Sequence, residues 1–149
     1  MYDFLRPGSA WARYGPNHST MSTHLQFNTR DDFYRIPTSR IVFFVADKNY
    51  TILQLSNGKT LMFTFTLQKM QEYIVASLGA AARTFARVGR SHIVNLAYVY
   101  HIDIAKQRLV LYAEREAVEY AIPVSKEALR SLRSIFVKSE VNSSTNNNK

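Results

Sequence analysis

Hydrophobic and polar positions along the chain fall in short blocks, and most blocks read as strands. Ile41-Val42-Phe43-Phe44-Val45 is a strongly β-prone apolar run. Tyr50-Thr51-Ile52-Leu53-Gln54-Leu55 is a second. Asn57-Gly58 then supplies a hairpin turn, because both residues tolerate positive φ. Lys59 to Phe65 reads as the return strand, with Leu61, Phe63 and Phe65 alternating against Thr60, Met62 and Thr64. Ala97 to Ile104, Arg108 to Tyr112 and Ala117 to Ile122 complete the β series. Hairpin links fall at Ala105-Lys106-Gln107 and at Ala113 to Glu116.

Two stretches have the helical period instead. In the first, Leu67, Met70, Ile74 and Leu78 repeat at helical spacing, with Thr66 placed to cap and Gly79 to stop it. In the second, Ser125 is the cap and Glu127 stands in the positive first turn. Leu129, Leu132, Ile135 and Phe136 form its predicted buried stripe. Lys126, Arg130 and Arg133 cluster on another stripe, roughly 130° away at 100° per residue. That basic stripe has two readings, a solvated face or a phosphate-binding one.

The ends lack either period. Pro7-Gly8-Ser9 and Gly15-Pro16-Asn17 are breakers, and Asn142 to Lys149 is rich in Asn, Ser and Thr. The predicted organisation is a flexible leader over 1–24, a folded domain over 25–138 and a disordered tail over 139–149.

Composition narrows the function. At 149 residues and 46% hydrophobic, the chain is one domain with a packed core. Its longest apolar run, Ile41 to Ala46, is far below the roughly 20 residues of a membrane span. The first 30 residues hold no apolar signal region, so a cytoplasmic location is expected and no membrane partner. The 19 basic residues exceed the 11 acidic ones, for a net charge of +8. Such an excess points to a polyanionic partner. The basic residues form no run, so any phosphate-binding surface has to be assembled by folding.

Catalysis finds no candidate constellation, and no enzyme activity, metal or cofactor is expected. Cysteine is absent, which excludes a disulfide framework, a thiolate zinc site and a thiol nucleophile. His18, His24, His92 and His101 have no metal-ligand spacing. Ser91 and His92 are adjacent on a predicted strand, so their side chains point to opposite faces. Glu114, Glu116 and Glu119 flank a hairpin tip and read as solubilising. Five glycines in total leave no phosphate-cradling loop.

The most informative stretch is Phe85-Ala86-Arg87-Val88-Gly89-Arg90-Ser91-His92-Ile93-Val94-Asn95-Leu96. Arg87, Arg90 and Ser91 make a short polar excursion between two apolar segments. Arginine can give two parallel hydrogen bonds to guanine or phosphate, serine can bond a phosphate or base edge, and Gly89 lets the backbone turn. Arg87 is read two ways, as a nucleic-acid contact and as a structural arginine tied to a carbonyl.

With its surroundings this stretch resembles the LytTR domain, the DNA-binding domain of LytR/AlgR-type transcriptional regulators. The resemblance runs in order through Ile41 to Thr51, Asn57-Gly58-Lys59, Thr66-Leu67, the Phe85 to Asn95 segment and Ile122-Pro123-Val124-Ser125-Lys126, over roughly residues 35–137. It implies a mainly β fold, an elongated stack of short β-sheets with one short helix in the middle and one C-terminal helix. It further implies a sequence-specific transcriptional regulator whose loops enter successive major grooves of double-stranded DNA. Carried onto this sequence, the contact loops are Lys48-Asn49-Tyr50, Arg90-Ser91 and Ser125-Lys126. Asn49 and Arg90 would address base edges. Lys48, Tyr50, Ser91, Ser125, Lys126 and Arg130 would hold phosphates, and Asn95 would be a fold residue. Paired repeats are the implied DNA site, with two protomers on it and a separate sensor or regulator protein as a candidate partner. The sequence departs from the family where Gly89 stands for a common histidine and His92 for a common aromatic residue. The residues upstream are too few for the acidic receiver domain that many relatives carry, and they lack its acidic cluster.

Two rival readings remain at this stage. One is a protein-interaction regulatory module of the same fold without DNA binding. The other is a basic RNA-binding β domain, with Tyr34, Tyr50, Tyr98 and Tyr112 stacking on bases.

Overall fold

A computed structural model of the chain describes residues 23–143. Most of the predicted leader and the tail from residue 144 lie outside the described residues. Within them the chain is mostly β, with three antiparallel sheets and two α-helices.

The frame is a five-stranded sheet in the order β5-β4-β3-β7-β6. Its strands are β3 (Ile41–Asp47), β4 (Tyr50–Leu55), β5 (Thr60–Phe63), β6 (Phe85–Val88) and β7 (His92–Asn95). The central strand β3 explains the unbroken apolar run at its start: both of its faces are covered, so Ile41, Val42, Phe43 and Phe44 are all buried. A register shift between Ile41 and Phe43 marks a bulge against β4. Val42 and Phe43 consequently fall in the same core, whereas Ile41 and Phe44 fall in the other.

One face of this sheet packs on helix α1 (Leu67–Leu78) and on a hairpin of β1 (His24–Asn28) and β2 (Phe33–Pro37). Leu25, Phe27, Met70, Tyr73 and Ile74 bury against Phe44, Leu53, Phe63 and Ile93 there. The Thr66 hydroxyl caps α1 by accepting from the Lys69 N–H at 3.2 Å. Gly79, with φ of 59°, ends it. The opposite face packs on a three-stranded sheet of β8 (Val99–Asp103), β9 (Arg108–Ala113) and β10 (Val118–Pro123), and on helix α2 (Lys126–Ser143). Leu109, Leu111, Ile122, Leu129 and Leu132 close this second core.

Three expectations differ from the outcome. The β1–β2 hairpin is an addition; its signal, Leu25 and Phe27 alternating with polar neighbours, covers only five residues. The buried stripe predicted for α2 stops at Leu132, because Ile135 and Phe136 are 44% and 38% exposed. From Arg133 to Lys138 the helix is exposed. Helix α2 runs past residue 138, the expected end of the folded domain, to Ser143, and no glycine or proline interrupts it.

Two polar clusters fix how the layers meet. Buried Asn95 donates to the carbonyls of Ile41 at 2.8 Å and Thr38 at 3.3 Å, and its Oδ1 accepts from the Ala97 N–H at 3.0 Å. It is therefore the fold residue that the sequence suggested. Glu116 accepts from Arg40 at 3.0 Å and from the Ser56 hydroxyl at 2.9 Å. A turn carboxylate expected to be solubilising thus clasps the three-stranded sheet to the five-stranded one.

Candidate nucleic-acid interface

Antiparallel pairing places two polar turns side by side. Asp47 pairs with Tyr50, so Lys48-Asn49 is a two-residue hairpin turn at the end of β3. Lys48 takes the positive φ of 60° that such a tight turn requires. Val88 pairs with His92, which leaves Gly89-Arg90-Ser91 as the tip between β6 and β7. Gly89 supplies the positive φ, 66°. Strands β3 and β7 are neighbours with Val45 opposite His92, and the Ala46 N–H donates to the Ser91 carbonyl at 2.8 Å. The exit of β3 and the entry of β7 therefore lie together, and both tips project from one end of the sheet.

The third bend comes from the second core. Ser125 follows β10, and its hydroxyl caps α2 by accepting from the Ala128 N–H at 3.2 Å. Ser125 lines a groove of about 780 Å³ with Arg90, Ser91, His92 and the α2 residues Glu127, Ala128, Ser131 and Ile135. The start of α2 thus faces the Arg90-Ser91 tip across a shared depression. A Cβ built on Gly89 would stand 3.8 Å from that of Ala128, so the first turn of α2 and the tip are in close approach.

The expected residues divide into three groups. Lys48, Asn49, Tyr50, Arg90, Ser91 and Ser125 are exposed on the three bends at this end. Lys126 and Arg130 are exposed, but they do not line the groove, which takes a different stripe of α2. Arg87 also lines the groove, but its guanidinium is engaged within the protein. Its Nη1 donates to Gln71 and Gln68 of α1, its Nη2 donates to the Arg90 carbonyl at 3.0 Å, and its Nε is buried with no partner. The guanidinium is thus tied to a carbonyl and to helix α1.

Three further residues at this end, Glu127, His92 and Lys106, are not among the expected contacts. Glu127 brings a carboxylate into an otherwise basic and neutral groove. His92 forms part of the wall, buried edge-on to Phe43 with ring centroids 6.0 Å apart. Burial pushes its imidazole below the ordinary value of 6.5. The turn of residues 104–107 also belongs to this end, since the Val124 N–H donates to the Gln107 carbonyl at 3.1 Å and Pro123 pairs with Arg108. That places Lys106 beside the third bend. Among the described residues no group of three or more His, Asp or Glu side chains could hold a metal ion. No helix among them is long and apolar enough to cross a membrane.

In a chain of net charge +8, the polar hairpin tips and the capped helix start stand together at one end of a mostly β domain. The family profile of the LytTr DNA-binding domain matches residues 31–136. The chain belongs to that family. Among solved structures it is similar to the LytTr DNA-binding domain of a Bacillus cereus protein assigned as a methyl-accepting/DNA response regulator. The TM-score is 0.55 at 21% identity, over 77% of this chain and 97% of that one. No curated protein matches the chain.

Proposed function

We propose that this DNA-binding domain acts as a sequence-specific transcriptional regulator that sets its three bends into successive major grooves of double-stranded DNA. The observation that carries the reading is the convergence of Lys48-Asn49, Arg90-Ser91 and Ser125 at one end of the molecule. Arg90 has the fork to bond guanine N7 and O6, and Asn49 the amide to pair with adenine. Lys48, Tyr50 and Ser91 stand beside these readers, where backbone phosphates would lie. The Ser125 oxygen already accepts from the helix, which leaves its O–H to donate to a phosphate. Lys126 and Arg130 would meet phosphates flanking the groove rather than inside it. Paired repeats occupied by two protomers are the expected site, in a cytoplasmic setting, with a separate sensor or regulator supplying the signal.

Selection of bound duplexes from a random pool tests this reading. A repeated enriched motif, bound at least about tenfold more weakly by Arg90→Ala, is the expected result. No enrichment above the input pool, or equal affinity of the variant for selected and scrambled duplexes alike, would overturn it.

A further inference from the structure

We propose that Arg87 is the positioning residue of the Gly89-Arg90-Ser91 tip, holding it to helix α1 so that the side chains of Arg90 and Ser91 face outward together. The proposal rests on the DNA-reading role of that tip. It assigns Arg87 no contact with DNA.

A three-residue tip that starts at a positive-φ glycine has little of its own to define it. Two carbonyls in this tip are nevertheless engaged. Ser91 O accepts from the Ala46 N–H of β3, and Arg90 O accepts from Arg87 Nη2. The first bond ties the tip to the neighbouring strand and the second to the opposite layer. Arg87 pairs with Ile93, whose side chain belongs to the α1 side of the sheet, and its Nη1 meets the amide oxygens of Gln71 and Gln68 there. The planar guanidinium spans the two, with one nitrogen on the helix and the other on the tip. Lysine cannot reproduce that, because its ammonium is a single point on a flexible stem.

The buried Nε without an acceptor supports the same assignment. An unpaired buried N–H is a cost that most sites avoid. The bridging geometry takes both terminal nitrogens and leaves Nε buried without an acceptor. With Nη1 on two glutamines and Nη2 on the tip, both terminal nitrogens are already engaged within the protein.

The experiment compares Arg87→Ala, Arg87→Lys and Gln71→Ala in the full chain, using a selected duplex and a scrambled one over a range of salt. Exchange of the tip amides is measured in free protein. Three results are expected. Arg87→Ala and Arg87→Lys weaken the selected duplex alike, by about tenfold, while the scrambled duplex is little affected. Gln71→Ala gives a smaller loss, and combining it with Arg87→Ala adds nothing further. The slope of log K against log salt stays unchanged, and the tip amides exchange faster in all three variants. Rescue by lysine, or a slope shallower by about 0.9, would mean a phosphate contact and overturn the proposal. Unchanged amide exchange would overturn it as well. If wild-type protein fails to prefer the selected duplex, the DNA reading fails by itself, and the exchange result still decides whether Arg87 holds the tip.

Discussion

Asn95 donates its side-chain amide to the carbonyl of Ile41 at 2.8 Å, joining the exit of β7 to the entry of β3. The same two strands run, at their far ends, into the two hairpin tips of the proposed DNA-binding end. A buried hydrogen bond at one end of the strand pair thus helps set how the tips align at the other.

Asn95→Ala should cost about 2–3 kcal/mol, since it removes three hydrogen bonds and leaves a buried carbonyl without its donor. Asn95→Asp should cost more, because a carboxylate would face two carbonyl oxygens. Urea unfolding midpoints at a constant slope measure both. A loss under about 0.5 kcal/mol for the alanine variant would contradict this account.

Gly89→Ala isolates the backbone requirement of the second tip. Space is not the obstacle, as the added Cβ would be in ordinary contact with Ala128. The obstacle is the φ of 66°, which costs a non-glycine residue about 1 kcal/mol. Gly89→Asn should lose less, because asparagine tolerates this region. Equal losses for the two variants would point to packing instead.

Glu116 holds Arg40 and Ser56 from a turn of the other sheet. Both ion-pair partners are partly exposed, so the pair itself is worth no more than about 1 kcal/mol. Glu116→Gln should therefore shift the unfolding midpoint only slightly. Its expected signature is local, as faster exchange of the Ser56 amide, which donates to the Arg40 carbonyl at 2.9 Å. Unchanged exchange there would show that apolar packing alone sets the two sheets.

His92 makes stability depend on pH. Burial favours its neutral form, so the folded state holds the imidazole below 6.5, its ordinary value when unfolded. The unfolded chain binds the extra proton first as pH falls. Its contribution is complete above pH 6.5 and is lost as pH drops below that, until the folded protein also protonates. His92→Phe keeps an aromatic edge against Phe43 and should flatten this part of the curve. A variant with an unaltered profile between pH 7 and 5 would assign the dependence elsewhere.

Lys106 extends the proposed interface to the turn beside Ser125. Lys106→Gln should lower the salt slope of DNA binding by about 0.9 and weaken selected and scrambled duplexes equally. A loss confined to one sequence would contradict a phosphate role.

Much of the fold was legible because its signals are local. Asn57-Gly58 turns the chain wherever it stands: the Gly58 N–H reaches the Leu55 carbonyl at 3.1 Å, and the asparagine side chain takes the Lys59 N–H at 3.0 Å. Thr66 and Ser125 cap their helices by bonds that span three residues. Apolar runs and breakers likewise marked most of the strands. Ordered motifs from Ile41 to Lys126 were enough to suggest the family.

By itself, then, the sequence determined most of the strands, the two helix starts, the basic balance and the polar bends. Only the tertiary structure decided which bends stand together, because that follows from β3 pairing with β7 and from Val124 meeting Gln107, contacts between residues distant in the chain. It also decided that Arg87 turns toward α1 while Arg90 faces outward. Two arginines three positions apart look alike to composition and spacing, and differ only in which layer of the protein lies beneath each side chain.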